Sequence, residues 1–316
     1  MIKILKYKPD VKEQSINLYL RSLKIIYQEI YDRDGEPDNI DFLGEYDKVL
    51  NYLDTRNINT RKNYLTAIVV AIKAYGDTKK LNSYYPIFLN LIEKIKEQTQ
   101  SQEKTEKEKL NWESLKNLKS VLENYKKQLT STGVFNLDDN LITPSDFKLL
   151  QKYVVGTLYI GSERNPPLRN DYANMVIMKK YVYDKLSEEV QTKTNYLLIT
   201  GKNKKMFVLN KYKTFSTYGK KIIPVSSVVN KVLNVWLHYN KSKFLLLNSK
   251  KDALSENGLT KLINSTFAPT GKKIGATLLR HIFISEAFPA DLEKRKVIAA
   301  LMGHSVDIQT EYSKLN

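Results

Sequence analysis

The sequence has no cysteine in its 316 residues. Disulfide scaffolds, thiolate metal sites and cysteine nucleophiles are therefore excluded, and the chain suits a reducing, intracellular compartment, with nucleus and cytoplasm left open. Histidine is scarce, at three residues, and tryptophan scarcer, at two. Acidic side chains are in deficit: 34 Asp and Glu stand against 51 Lys and Arg, a formal charge of +17 and a pI near 9.5. No apolar run approaches the ~20 residues that a membrane span requires. The opening MIKILKYKPDVKEQ carries charge where a secretory signal has an apolar centre, so neither a membrane partner nor a signal is expected. No carboxylate cluster has metal-binding spacing, which disfavours a two-metal nuclease, and no internal repeat is visible.

The remaining composition, 42% hydrophobic and 27% charged, builds packed cores, and the length fits about two domains. The surplus of cations favours a polyanionic partner, with double-stranded DNA as the leading expectation. An AT-rich genome, which enriches Lys, Asn, Ile and Tyr, is the competing explanation of the same charge.

Residues 1–98 read as a helical domain. Ile16, Leu18, Leu20, Leu23, Ile26 and Ile30 repeat at helical spacing over Glu13 to Tyr31, and DRDGEPDN (32–39) breaks the pattern. Phe42 to Leu53 suggests a second helix. In NINTRKNYLTAIVVAIKAY, Asn59 or Thr60 is the expected N-cap, and Leu65, Ile68, Val69 and Ile72 form an apolar face. Arg61, Lys62 and Lys73 lie off that face, where they would meet phosphates or simply solvent. A fourth helix is expected over Tyr85 to Glu97. Residues 99–113 are a charged linker, and 114–316 form the second domain. That domain opens with helices over Trp112–Leu129 and Thr143–Leu158, separated by the loop Asn136–Asn140. Thr143, Pro144 and Asp146 make a helix-start signature. Tyr196–Thr200, Met206–Leu209 and Lys221–Val225 are short β-like runs, predicting a small antiparallel sheet with basic turns at 201–205 and 212–219. Helical patterning resumes from Ser226. The expected class is mainly α with one small antiparallel sheet.

Several residues are suggestive in combination. Arg169 lies in NPPLRNDYANM, predicted at a junction into a helix, with Asp171 as its orienter or helix cap. Arg280 and His281 are neighbours in LLRHIFISEAF, and His304 follows glycine in LMGHS, eight residues before Tyr312. The ordered set resembles the tyrosine recombinase, or phage-type integrase, family. Arg169 and Arg280 match its two arginines, His304 its Leu-Gly-His element and Tyr312 its nucleophile. Lys213, between two predicted strands, matches the sheet lysine, with Lys202, Lys204 and Lys205 of the GKNKK turn as rivals that would otherwise contact DNA. The resemblance covers about residues 140–316, and more loosely the N-terminal helices, which would be a core-binding domain clamping DNA.

Two positions depart from the family. Thr277 stands three residues before Arg280, where the family has His or Lys, and cannot be a cationic donor. His281, Lys272 or Lys273 would have to compensate. Only four residues follow Tyr312, leaving no room for the family's trailing helix, so that contact would be made differently or the chain is truncated.

The chemistry implied is cleavage and rejoining of DNA through a 3′-phosphotyrosyl intermediate, with no metal, ATP or other cofactor. Attack on a phosphodiester builds negative charge on the non-bridging oxygens, which suits paired arginines and a histidine. A tyrosine needs a cationic pocket or a base to lower a pKa ordinarily near 10, and Lys213 would protonate the leaving oxygen. The resemblance further implies a homotetramer on synapsed sites, with a monomer in free solution, and suggests a virus or other mobile element as the source. A type IB topoisomerase and a non-catalytic DNA-binding protein of the same fold are the alternatives.

Overall fold

The computed structural model describes Tyr7, Val11 and residues 13–32, 34–137, 142–287 and 292–314. The chain divides into two compact units, Met1–Ser101 and Gln102–Asn316. Among the described residues no helix is long and apolar enough to cross a membrane.

The first unit is helical: α1 (Glu13–Tyr31), α2 (Tyr46–Asp54), α3 (Ile58–Tyr75) and α4 (Thr78–Gln100). The start of α3 lies earlier than its sequence suggests. The Asn57 side chain accepts from the Thr60 N–H at 3.0 Å, so Asn57 is the cap and Thr60 already belongs to the first turn. The buried side chains of α1, α3 and α4, among them Ile16, Leu65, Ile68 and Tyr84, form one core.

The second unit begins with a short helix, α5 (Glu106–Asn111), inside the charged stretch read as linker. Helices α6 (Leu115–Ser131) and α7 (Pro144–Ile160) follow, the latter capped by Thr143 as its sequence predicts. The two approach closely at Gly156, where a Cβ would lie 2.2 Å from a Leu122 methyl. The expected loop between these helices falls partly outside the described residues.

The sheet has four strands in the order β1 (Val176–Lys179), β2 (Tyr196–Gly201), β3 (Lys204–Leu209) and β4 (Lys221–Pro224). It is mixed rather than antiparallel, because β1 runs parallel to β2. The sequence hides β1, since its four residues VIMK lack turn residues at their end and run straight into a helical turn at Lys180–Tyr183. Strands β2, β3 and β4 pair antiparallel, with an irregularity between Ile199 and Gly201 at the hairpin. Helices α8 (Ser227–Tyr239), α9 (Glu256–Phe267), α10 (Ala276–Ala287), α11 (Leu292–Met302) and α12 (Val306–Tyr312) complete the unit. Its core joins α6, α7, α8, α9, α10 and one face of the sheet through Leu122, Leu158, Phe207, Trp236, Phe267 and Leu279.

Candidate active site

Arg169 sits in an irregular segment between α7 and β1, with no helix beginning there. That removes the helix-cap reading of Asp171. Buried polar side chains fix the segment instead. The Asn165 amide donates to the Pro224 carbonyl at 2.9 Å and its oxygen accepts from the Ser226 N–H at 2.7 Å. The Tyr159 hydroxyl donates to the Arg169 carbonyl at 2.7 Å, and the Asn195 amide donates to the Asp171 carbonyl at 3.0 Å. Each bond satisfies a backbone group that a loop would otherwise leave unpaired.

Arg280 projects from α10 and is 1% exposed. Its Nη1 donates to the Pro167 carbonyl at 2.9 Å, pinning the arginine to the segment that carries Arg169. Its Nε and Nη2 are buried without a hydrogen-bond partner at bonding distance, with the Tyr312 phenol close by. Burial makes Arg280 hold its proton less tightly than usual, an effect the Tyr312 phenol and Asp171 oppose and Arg169 adds to. The Asp171 carboxyl is pushed up by burial and drawn back by the Arg169 and Arg280 charges.

His304 follows Gly303 in the tight turn between α11 and α12. Gly303 has φ of 75°, and a Cβ there would stand 3.0 Å from Lys221 Nζ and 3.1 Å from Thr214 Oγ1. Conformation and crowding both call for glycine. His304 is 2% exposed, its Nδ1 lies 3.1 Å from the Ser305 carbonyl, and its Nε2 is buried without a partner. The carbonyl can only accept, so in the neutral ring Nδ1 carries the hydrogen and Nε2 a lone pair. Burial pulls the His304 pKa down to about 4; Arg280, Arg169 and Lys221 add to this and the Ser305 carbonyl resists it.

Tyr312 ends α12, two helical turns beyond His304. Its half-buried ring lies parallel to His304 (centroids 5.3 Å, 11°), edge-on to His281 (4.8 Å, 81°) and 5.0 Å from the Arg280 guanidinium carbon. It packs on a small core of Phe283, Ile284, Ile298 and Met302.

The lysines fall differently from expectation. Lys213 lies in the β3–β4 connection and is exposed, as are Lys202 and Lys204 in the β2–β3 turn. Lys205 is 5% exposed, and its ammonium donates to the Lys202 carbonyl at 3.1 Å, to Asn230 Oδ1 at 2.8 Å and to Asn234. All three N–H groups are thus engaged, so its expected role in contacting DNA is corrected to a structural one. The lysine that feels the charge of both arginines is Lys221, the first residue of β4. Its ammonium donates to the Ala300 carbonyl beside Gly303 and lies 5.3 Å from the Tyr212 ring. Burial lowers its pKa to about 8; Arg169 and Arg280 push the same way and Asp171 opposes them. Strand alternation could have found it, because Ile223 is buried and Lys221, two residues before it, shares its face.

Of the remaining expectations, Thr277 is exposed in the first turn of α10. His281 turns its Nδ1 to the Glu108 carboxylate, meeting Oε1 at 2.5 Å. The Lys272 ammonium donates to the Leu110 carbonyl at 3.0 Å. In the first unit Arg61 pairs with Asp54 at 2.5 Å, Lys73 lies 4.5 Å over the Tyr85 ring and Lys62 is half-buried. Among the described residues no group of three or more His, Asp or Glu could hold a metal ion.

No protein-family model matches the chain, and no curated protein matches it. Among solved structures it is similar to the crystal structure of XerA recombinase, at 11% identity and a TM-score of 0.39, over 99% of this chain and 92% of that one.

Proposed function

We propose that this chain is a site-specific DNA recombinase or integrase that cleaves and rejoins double-stranded DNA through Tyr312. The observation that carries the reading is the group of buried donors and acceptors without partners beside the Tyr312 ring: Arg280 Nε and Nη2, and His304 Nε2. An unpaired buried guanidinium is costly in a folded protein. A phosphodiester seated against Arg280 and Arg169 would satisfy it and neutralise the mutual repulsion of the two arginines.

In the step proposed, the phenol oxygen attacks phosphorus while the bond from phosphorus to the 5′ oxygen breaks. The phenol proton passes to the free Nε2 of neutral His304. Lys221, protonated at neutral pH yet with a pKa near 8, donates a proton to the departing 5′ oxygen. Nothing is oxidised or reduced, and the ester energy is held in the 3′-phosphotyrosyl bond. Return attack by a 5′ hydroxyl regenerates Tyr312. The arginines stabilise the charge on the non-bridging oxygens. Lys221 replaces Lys213 in this scheme because its burial and its place among Arg169, Asp171 and Arg280 put it within their field.

Covalent trapping tests the reading. The protein is incubated with nicked fragments of its own genome, quenched with SDS, and the attached DNA is sequenced. An adduct that disappears in Tyr312→Phe supports the assignment. Adducts formed on single sites, with relaxation of supercoils, would move it to a type IB topoisomerase. Binding without any adduct would leave a DNA-binding protein only.

A further inference from the structure

The segment that opens the second unit reaches the nucleophile by a short chain of contacts. Thr105 and Glu108 form a reciprocal cap at the start of α5. Glu108 Oε2 accepts from the Thr105 N–H at 2.9 Å and from its hydroxyl at 2.8 Å. The carboxylate is thereby fixed in orientation, with Oε1 left to meet His281 Nδ1. Both side chains are mostly shielded, at 15% and 16% exposure. The far edge of the contact is Tyr312, whose ring His281 meets edge-on. Further bonds hold the same segment to the elements around the nucleophile. Lys272 Nζ donates to the Leu110 carbonyl, the Lys273 N–H to Asn111 Oδ1 at 2.8 Å, and Lys314 Nζ to the Glu103 carbonyl at 3.3 Å. Lys314 lies two residues beyond Tyr312 and is tied by its own N–H to Ser285 of α10 at 2.8 Å.

We propose that Glu108 is a positioning residue for the nucleophile: through His281 it holds the Tyr312 ring, so the α5 segment that opens the second unit controls whether Tyr312 is in place to attack. The inference rests on the reading of Tyr312 given above. The direct route from Glu108 to the ring is the His281 imidazole, and its cap on α5 holds the segment that Lys272, Lys273 and Lys314 also bond. A tyrosine at the end of a seven-residue helix gains from such a hold, because near-attack geometry is lost with displacements of about 1 Å.

Two measurements test it, both on the full chain. In the first, 3-fluorotyrosine is placed at position 312 and its fluorine resonance is recorded without DNA. Glu108→Ala and His281→Phe are expected to move or broaden that resonance by more than its linewidth. Glu108→Gln, which keeps the cap and the hydrogen bond, should move it less. A resonance unchanged by Glu108→Ala and His281→Phe overturns the proposal, whatever the chain does to DNA. In the second, Glu108→Ala should slow adduct formation on nicked DNA by about ten- to a hundredfold at unchanged DNA affinity. In a Tyr312→Phe background hydrogen peroxide can serve as the attacking oxygen, and there Glu108→Ala should change nothing. Equal losses in both assays would mean that the cradle itself is damaged, and positioning fails. If the wild type forms no adduct at all, the functional reading fails, while the fluorine comparison still decides the role of Glu108.

Discussion

Among the described residues of the second unit, Lys205 and Arg280 are buried cations built on opposite plans. Around Lys205 every ammonium hydrogen meets an oxygen of Lys202, Asn230 or Asn234, all neutral, and burial lowers its pKa. Around Arg280 the guanidinium has one carbonyl partner and two idle nitrogens, with His304 Nε2 idle nearby. A saturated buried charge is a structural fixture. An unsaturated one, in the field of Arg169, is where the proposed phosphate would sit. On the proposed reading, a lysine in a recognisable turn motif serves the fold while one at an unremarkable strand start serves the chemistry.

The sharpest way to break the contrast is to remove the groups that distinguish the two places. Tyr312→Phe should abolish covalent attachment and leave DNA affinity intact, read by SDS-resistant adducts beside a binding titration. Arg280→Ala should lower the adduct-forming rate by about two orders of magnitude, the usual loss on removing a main oxyanion donor. A rate within tenfold of wild type would show that the idle guanidinium nitrogens are not where charge develops.

Next in size comes Lys221. Lys221→Ala should slow cleavage by about 100-fold. A substrate whose 5′ bridging oxygen is replaced by sulfur needs no protonation on leaving, and it should restore most of the lost rate. Lys213→Ala should stay within about twofold of wild type, as an exposed lysine outside the cradle would. If the two variants exchange these results, Lys213 is the acid and the field around Lys221 serves some other end.

How much of this was legible beforehand depended on local signals. The α1 and α7 patterns, the Thr143 cap and three of four strands follow from periodicity and turn chemistry, which act within a few residues. What escaped needed tertiary knowledge. β1 is four residues of parallel strand whose partner lies twenty residues on. The N-cap of α3 was read two or three residues late because Asn57, Asn59 and Thr60 are equally competent caps. Burial of Lys205 depends on Asn230 and Asn234 of α8, and the pairing of Glu108 with His281 spans 173 positions. Charge in the 99–113 stretch suggests a solvated linker, whereas the Glu108 carboxylate and the Glu103 and Leu110 carbonyls bond side chains of the second unit.

The saturated place gives the fourth test, on stability alone. Lys205→Met should leave the adduct rate unchanged. It should also destabilise the fold by about 1–3 kcal/mol, since two amide oxygens and a carbonyl lose their donor. Melting temperature and adduct rate therefore separate Lys205 from Lys221.

The smallest effect expected is in the pH dependence of stability, and its sign follows from His304. Burial, with the arginines, depresses its pKa from 6.5 to about 4. The unfolded chain therefore binds a proton over that interval while the folded chain does not. The stability this ring contributes is intact above about pH 6.5 and declines as the pH falls towards 4, with a slope of at most about 1.4 kcal/mol per pH unit. His304→Gln, which cannot take the proton, should flatten that part of the profile when urea midpoints are compared at pH 7, 6, 5 and 4.5. Glu108 titrates lower: although burial alone would raise its pKa, the His281 and Thr105 bonds bring it to about 2. Its contribution is present above about pH 4.5 and fades below, so the two groups occupy adjacent windows and can be told apart. Saturating a short nicked duplex should shrink the His304 slope further, because a phosphate seated beside the ring supplies the negative charge that burial denies it. A slope unmoved by DNA would place the phosphate elsewhere and leave the idle nitrogens of Arg280 without their proposed partner.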